Sequence, residues 1–294
     1  MSKFLGKLNY IANKTNSYLH QSFKNQKINS HLLKPMKYGV FSGGKRFRST
    51  IVVNTGKIYK LNYKSLIIIS SAIECMHSYS LIHDDLPSMD NDILRRGKPS
   101  VHKKFNEFTA ILAGNSLLTM AFEILSGNDL KISQKSKNEL IKSLSMCAGH
   151  TGLAGGQYSD LTFENKKISK KNIINMQKKK TGELFGFCCE SAAIVKGISF
   201  KKRKKIKEIG INIGLLFQIV DDLIDHKGDS KIVGKPTKSD KKKGKATLIN
   251  LLGYKDTLSF AKNLKQKIDI DIKKYGTRAN DLLESVNFIL ERKF

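Results

Sequence analysis

Two groups of aspartates set the chemistry open to this sequence. The later one reads Phe217-Gln-Ile-Val-Asp-Asp-Leu-Ile-Asp225. A helix advances about 100° per residue, so Asp221, Asp222 and Asp225 fall within an arc of about 100°, with Gln218 one turn earlier on the same face. Three carboxylates so close repel one another unless a cation lies between them. Hard oxygen ligands of this kind suit Mg²⁺, which keeps some water and completes its shell with substrate phosphate. The preceding residues, 209–220, are too apolar for a surface helix, which places the acids at the bottom of a cavity.

The earlier group, Asp84-Asp-Leu-Pro-Ser-Met-Asp90, follows an equally apolar stretch from Leu66 to His83. On a continuous helix Asp90 would lie about 140° from Asp85. Pro87 disfavours helical geometry in the residue before it. The helix is therefore expected to end near Leu86, with the chain bending Asp90 back toward Asp84. His77 shares a face with Asp84 two turns below, a position where a lone histidine usually belongs to the core. Two acid clusters, each ending a buried apolar helix, support one another as metal sites.

Basic residues complement them. Gly43-Gly44 followed by Lys45-Arg46-Phe47-Arg48 opens an apolar stretch and suits an anion held at a helix N-terminus. Arg95 and Arg96 are adjacent, so they point apart in most backbone conformations and can serve two different anions. Metals on one side and guanidinium groups on the other call for a substrate of high negative charge, as in diphosphate chemistry. Neither a nucleotide-type phosphate loop nor a Ser–His–Asp or Cys–His signature is present.

The elements that must position these groups are helical. The 294 residues include only four prolines and no tryptophan, which permits long uninterrupted helices. Apolar residues recur at helical spacing, as in Ile206, Ile209, Ile213, Leu216, Phe217 and Val220, and no stretch alternates as a strand does. Turn-forming residues gather near 39–44, 87–100, 126–129, 149–156 and 226–245, which implies about eight to ten helices. No repeat or low-complexity linker divides them, so one all-α domain over residues 1–294 is expected.

The formal net charge is +28, yet only seven of the 53 basic residues are arginine, and four of those seven fall in the two motifs above. Nucleic-acid surfaces favour arginine and interleave aromatics. The runs at 178–180, 201–205 and 241–243 are lysine-dominated, so no nucleic-acid partner is expected. Cys75, Cys147, Cys188 and Cys189 form no CxxC pair or framework and suit a reducing compartment. The N-terminal residues lack a signal-peptide core, and the most apolar run, around Leu66–Ile69, is far shorter than a bilayer needs. A cytoplasmic protein without a transmembrane segment is expected.

Taken in order, GGKRFR (43–48), ECMHSYSLIHDDLPSMDNDILRRGKPSVH (74–102), GLAGGQYSDL (152–161), KKTGELF (179–185), FQIVDDLID (217–225) and the GK pairs at Lys235 and Lys245 resemble the polyprenyl synthetase family, most closely its bacterial farnesyl diphosphate synthases. The resemblance covers nearly the whole chain. It implies an orthogonal helical bundle of the isoprenoid synthase type around a deep apolar cavity, as a homodimer that uses Mg²⁺, three ions with substrate bound. By the same resemblance, Lys45, Arg48, His77 and Arg96 hold isopentenyl diphosphate. Arg95, Lys180, Lys235 and Lys245 grip the allylic diphosphate, with Thr181 and Gln218 near the developing cation. Asp84, Asp85, Asp90, Asp221, Asp222 and Asp225 bind metal directly or through water, and Tyr79 limits chain length.

Val220 stands where many relatives have Gln, and Asn91 where an Asp is common. The Arg292-Lys293 pair resembles the family's basic tail but is followed by Phe294. The expected reaction condenses isopentenyl diphosphate with dimethylallyl and then geranyl diphosphate; a geranylgeranyl product is the alternative. A terpene cyclase would carry an Asn/Ser/Glu metal motif at the second cluster and no GGKRFR. A non-catalytic subunit would have lost an aspartate, and none is missing.

Overall fold

In a computed structural model of the chain, residues 2–24, 31–227 and 244–292 are described. They fall into two units, one of residues Met1–Val53 and Asn62–Ile141, the other of Asn54–Leu61 and Lys142–Phe294.

The first unit contains α1 (Ser2–Lys24), α2 (Leu33–Phe41), the start of α3 (Phe47–Ile58), α4 (Tyr63–Asp84), a hairpin of β1 (Leu94–Arg95) and β2 (Lys98–Pro99), the short α5 (Val101–Lys104), α6 (Glu107–Ser126) and the start of α7 (Gln134–Ala148). Its centre is α4. Asn62 caps that helix by accepting from the Ser65 N–H, and its apolar residues are distributed all round, so neighbours cover it on every side. The helix stops at Asp84, two residues earlier than expected, and Asp85 caps it.

The hairpin escaped the sequence pattern because two-residue strands cannot show alternation. Its Arg96-Gly97 turn has positive φ at both positions, the backbone that a two-residue hairpin loop favours.

The second unit contains the remainder of α3 and α7, then α8 (Leu153–Thr162), α9 (Lys170–Gln177), a π turn (Lys178–Gly182), α10 (Glu183–Val195), α11 (Phe200–Lys227), α12 (Leu248–Lys273), a 3₁₀ turn (Thr277–Ala279) and α13 (Asn280–Glu291). Here α10 and α11 form the main helix pair. From Ile209 to Leu216, α11 is continuously buried.

Among the described residues two helices, α4 and α6, are long and apolar enough by length and composition to cross a membrane. The apolar length of α4 thus runs well beyond Leu66–Ile69. Since 83% of its apolar window is buried inside the protein, against 44% for α6, the core accounts for α4.

Candidate active site

In the first unit, the turn after α4 is built by its backbone. The Asp90 N–H donates to the Asp84 carbonyl at 2.9 Å, and Asn91 N–H to Leu86 O at 3.0 Å. Asn91 adopts φ +50°, a left-handed conformation that asparagine tolerates better than most residues. The chain therefore returns Asp90 to Asp84 as the proline implied. Both side chains are half-buried, while Asp85 is buried.

Asp85 faces Arg95 on the hairpin. Arg95 Nε lies 2.9 and 3.2 Å from the two Asp85 oxygens, and its Nη2 contacts Asp85 and also Asp92, the latter at 3.2 Å. Burial alone would lower the Arg95 pKa, but the hydrogen bonds and charge of Asp85 outweigh it and raise the value. Arg95 thus sits on carboxylates.

Arg96 turns the other way, as adjacency suggested. Its guanidinium donates to the Gly43 carbonyl and lies against Gly44, where a Cβ would overlap Cζ and both Nη atoms. Gly43 (φ +113°) and Gly44 (φ +101°) also hold backbone that side chains disfavour. Burial, with help from Arg46, Arg95 and Arg48, pushes the Arg96 pKa down to about 10, so it stays cationic at neutral pH.

Arg46 plays a different part from its neighbours. It is buried and donates to Glu74 (3.3 Å), Asn16 (2.9 Å) and the Val40 carbonyl (2.6 Å). Glu74 also accepts from Ser49 at 2.9 Å, so Arg46 anchors the loop to α4.

Arg48 Nη1 reaches His77 Nε2 at 3.0 Å. Arginine can only donate, so that nitrogen carries no proton. Burial first, then the charges of Arg48 and Arg96, hold the His77 pKa well below its ordinary value. The lone histidine is therefore neutral and part of the arginine group. Lys45 is exposed. Tyr79 and His83 meet edge to face with ring centroids 4.8 Å apart, and burial followed by the charge of Asp84 raises the Tyr79 pKa.

In the second unit, the π turn carries Lys180 and Thr181. Such bulges within helical runs are frequent at functional sites. Lys180 and Lys245 both contact Asp160 Oδ2, at 2.7 and 2.8 Å, and Lys245 also meets Glu164 at 2.8 Å. Burial would raise the Asp160 pKa, but the two lysines pull it below the usual carboxylate value. Thr181 donates to Gln218 Oε1 at 2.9 Å, and Gln218 Nε2 donates to Asp222 Oδ1 at 2.8 Å. The buried Asp222 also accepts from Gln177 at 2.8 Å. Asp221 accepts from Arg292 at 2.7 Å, and that guanidinium stacks over Phe217 at 4.0 Å. Asp225 follows one turn later on α11, half-buried.

Asp160 and Gln177 were missed by the sequence reading, although Asp160 lies within GLAGGQYSDL. Lys235 falls outside the described residues. Among the described residues no three carboxylate, imidazole or thiol groups converge as a ready metal set. The donors nonetheless fit Mg²⁺ by type, since all six are carboxylates and Mg²⁺ needs only one or two of them besides water and phosphate.

The family of the chain follows from comparison with known proteins. The polyprenyl synthetase family matches residues 29–284. Farnesyl diphosphate synthase from Haemophilus influenzae is 37% identical over the full length of both chains. An FPP/GFPP synthase from Zymomonas mobilis, in its apo crystal structure, superposes with a TM-score of 0.86 at 35% identity, covering 98% of this chain and 100% of its own. A Helicobacter pylori geranyltransferase complexed with magnesium and isoprenyl diphosphate gives 0.83 at 32% identity, covering 99% and 97%. The chain belongs to the polyprenyl synthetase family.

Proposed function

We propose that this protein is a farnesyl diphosphate synthase. It joins isopentenyl diphosphate to dimethylallyl and then to geranyl diphosphate and releases diphosphate. The observation that carries the reading is a pair of separately built cationic sites, Arg48–His77–Arg96 on the Gly43–Gly44 loop and Lys180–Lys245 on Asp160. A reaction between two diphosphates needs two such sites, and simple hydrolysis needs one.

In this reading Lys45, Arg48, His77 and Arg96 hold the diphosphate of isopentenyl diphosphate, which stays in the product. Arg95, Lys180, Lys235 and Lys245 hold the allylic diphosphate, which leaves. Asp84, Asp85, Asp90, Asp221, Asp222 and Asp225 hold Mg²⁺ directly or through water, three ions with substrate. When bound, the metal supplies Lewis-acid stabilisation of the leaving group. Lys180 and Lys245 stabilise charge that grows as the allylic C–O bond breaks. Thr181 and Gln218 present oxygen dipoles to the allylic cation. The isopentenyl double bond attacks that cation, and the released diphosphate takes the proton lost. Water must be excluded, since it would quench the cation. Tyr79 limits the chain to farnesyl.

The family match runs through both units, which supports reading residues 1–294 as one functional domain. A homodimer is supported by the exposed Phe108, Ile111 and Leu112 on α6. A cytoplasmic setting is supported by four buried cysteines, none in a disulfide.

The test supplies isopentenyl diphosphate and Mg²⁺ with dimethylallyl, geranyl or farnesyl diphosphate, followed by chromatography of the products. Farnesyl diphosphate from the first two is expected. Hydrolysis without condensation, or condensation unaffected by EDTA, would overturn the reading.

A further inference from the structure

One contact in the first unit has no part in holding either diphosphate, and it lies between α4 and α6. The imidazole of His83 sits directly against Gly114, where a Cβ would overlap Nε2 and Cδ2. From that seat Nε2 lies 3.1 Å from the carbonyl of Ile111, one turn earlier on α6. A carbonyl only accepts, so Nε2 carries the proton and donates it. No residue larger than glycine at 114 leaves room for the ring.

His83 is four residues after Tyr79 on the same helix, so both side chains lie on one face, about 40° apart. The rings meet edge to face at 71°, centroids 4.8 Å apart. The imidazole is thus fixed on one side by α6 and presents its other side to the tyrosine. Tyr79 is half-buried, and the His83 imidazole packs against its ring.

We infer that His83 and Gly114 are positioning residues for product length: the imidazole, locked into the Gly114 notch by its bond to Ile111, holds the Tyr79 ring in place. The inference rests on the reading of Tyr79 as the residue that stops elongation. It adds that the stop is only as firm as a contact made from another helix. Removing the imidazole lets Tyr79 fall into the space it leaves. Filling the notch expels the imidazole and frees Tyr79 by a different route.

The test compares products of the wild type with Tyr79→Ala, His83→Ala, His83→Gln, Gly114→Ala and the double variant His83→Ala/Gly114→Ala, under excess isopentenyl diphosphate. Circular dichroism and thermal melting establish that each is folded. His83→Ala and Gly114→Ala should each raise the ratio of geranylgeranyl to farnesyl product by about fivefold, the change that one ordinary hydrogen bond makes in a partition ratio. His83→Gln, whose amide can still donate to Ile111, should stay nearer the wild type than His83→Ala. The double variant should lie no further from wild type than either single one, because the methyl has no imidazole to displace. Longer products from Tyr79→Ala alone, with wild-type products from His83→Ala and Gly114→Ala, would overturn the inference and leave the chain-length reading standing. Unchanged products from Tyr79→Ala would overturn the chain-length reading itself. The clamp would then be judged by the Tyr79 ring-proton resonances at fixed pH: a shift in Gly114→Ala supports it and identical resonances refute it.

Discussion

The two aspartate clusters carry the same residues on opposite kinds of support. Asp221, Asp222 and Asp225 ride one uninterrupted helix, and their environment comes from side chains brought against it: Gln177 and Gln218 on Asp222, Arg292 on Asp221. Asp84 and Asp90 are joined across a helix end by a backbone bond, and Asp85 is faced by an arginine on a two-residue strand. The helical cluster is set by periodicity, the broken one by turn geometry. A substitution that alters side-chain chemistry should therefore injure both, whereas one that alters backbone shape should injure only the broken one.

The largest effect tests what the clusters share. Asp84→Asn and Asp221→Asn should each slow turnover by roughly a thousandfold or more while the fold persists, since in the proposed reaction each removes charge opposite a departing diphosphate. Near-normal turnover in either variant would remove that cluster from the chemistry.

Backbone support in the unit of the broken cluster is tested next at its basic loop. Gly44→Ala puts a methyl where the Arg96 guanidinium lies and a Cβ where φ is +101°. It should raise KM for isopentenyl diphosphate by about tenfold to a hundredfold and change kcat much less, because contacts to a retained group are mostly uniform binding. Lys180→Ala should show the opposite split, with the loss in kcat. A reversal would exchange the two site assignments.

A smaller effect concerns stability. Asp160→Asn leaves Lys180 and the buried Lys245 without their shared carboxylate and should cost about 3 kcal/mol at neutral pH, in the range for breaking a buried ion pair. The sign follows from the depressed carboxyl pKa of Asp160. Its stabilisation is complete above the ordinary carboxylate value and is lost as pH falls through the lower folded value. Denaturant melts of the two proteins should therefore differ at neutral pH and converge below about pH 4.

The smallest effect is expected at Arg292. Arg292→Ala removes one cation from the half-exposed Asp221 and should change kcat/KM by about fivefold or less.

The acid clusters, the helices that carry them and the return of Asp90 were legible because spacing and a proline determine them locally. Arg46 shows where such reading stops. It shares a hexapeptide with Arg48, yet Arg46 has φ +50° and turns inward to Glu74. Spacing reports which residues are neighbours in sequence and does not report which way a left-handed backbone turns them. His77 illustrates the same gap, since its bond to Arg48 spans 29 positions. Asp160 was written in a motif already noticed, but its role needs Lys180 and Lys245, the latter 85 positions away. The hairpin was too short to have a period at all.

The shared oxygen of Asp160 has a consequence for how the protein meets its substrate. Two ammonium groups repel, and gathering them only when an anion arrives would weaken every encounter. By holding both within hydrogen-bond distance of one carboxylate oxygen, the chain completes that assembly when it folds. In the proposed reaction the allylic diphosphate then docks on a cationic pair whose spacing has already been chosen, and departs without the pair dispersing.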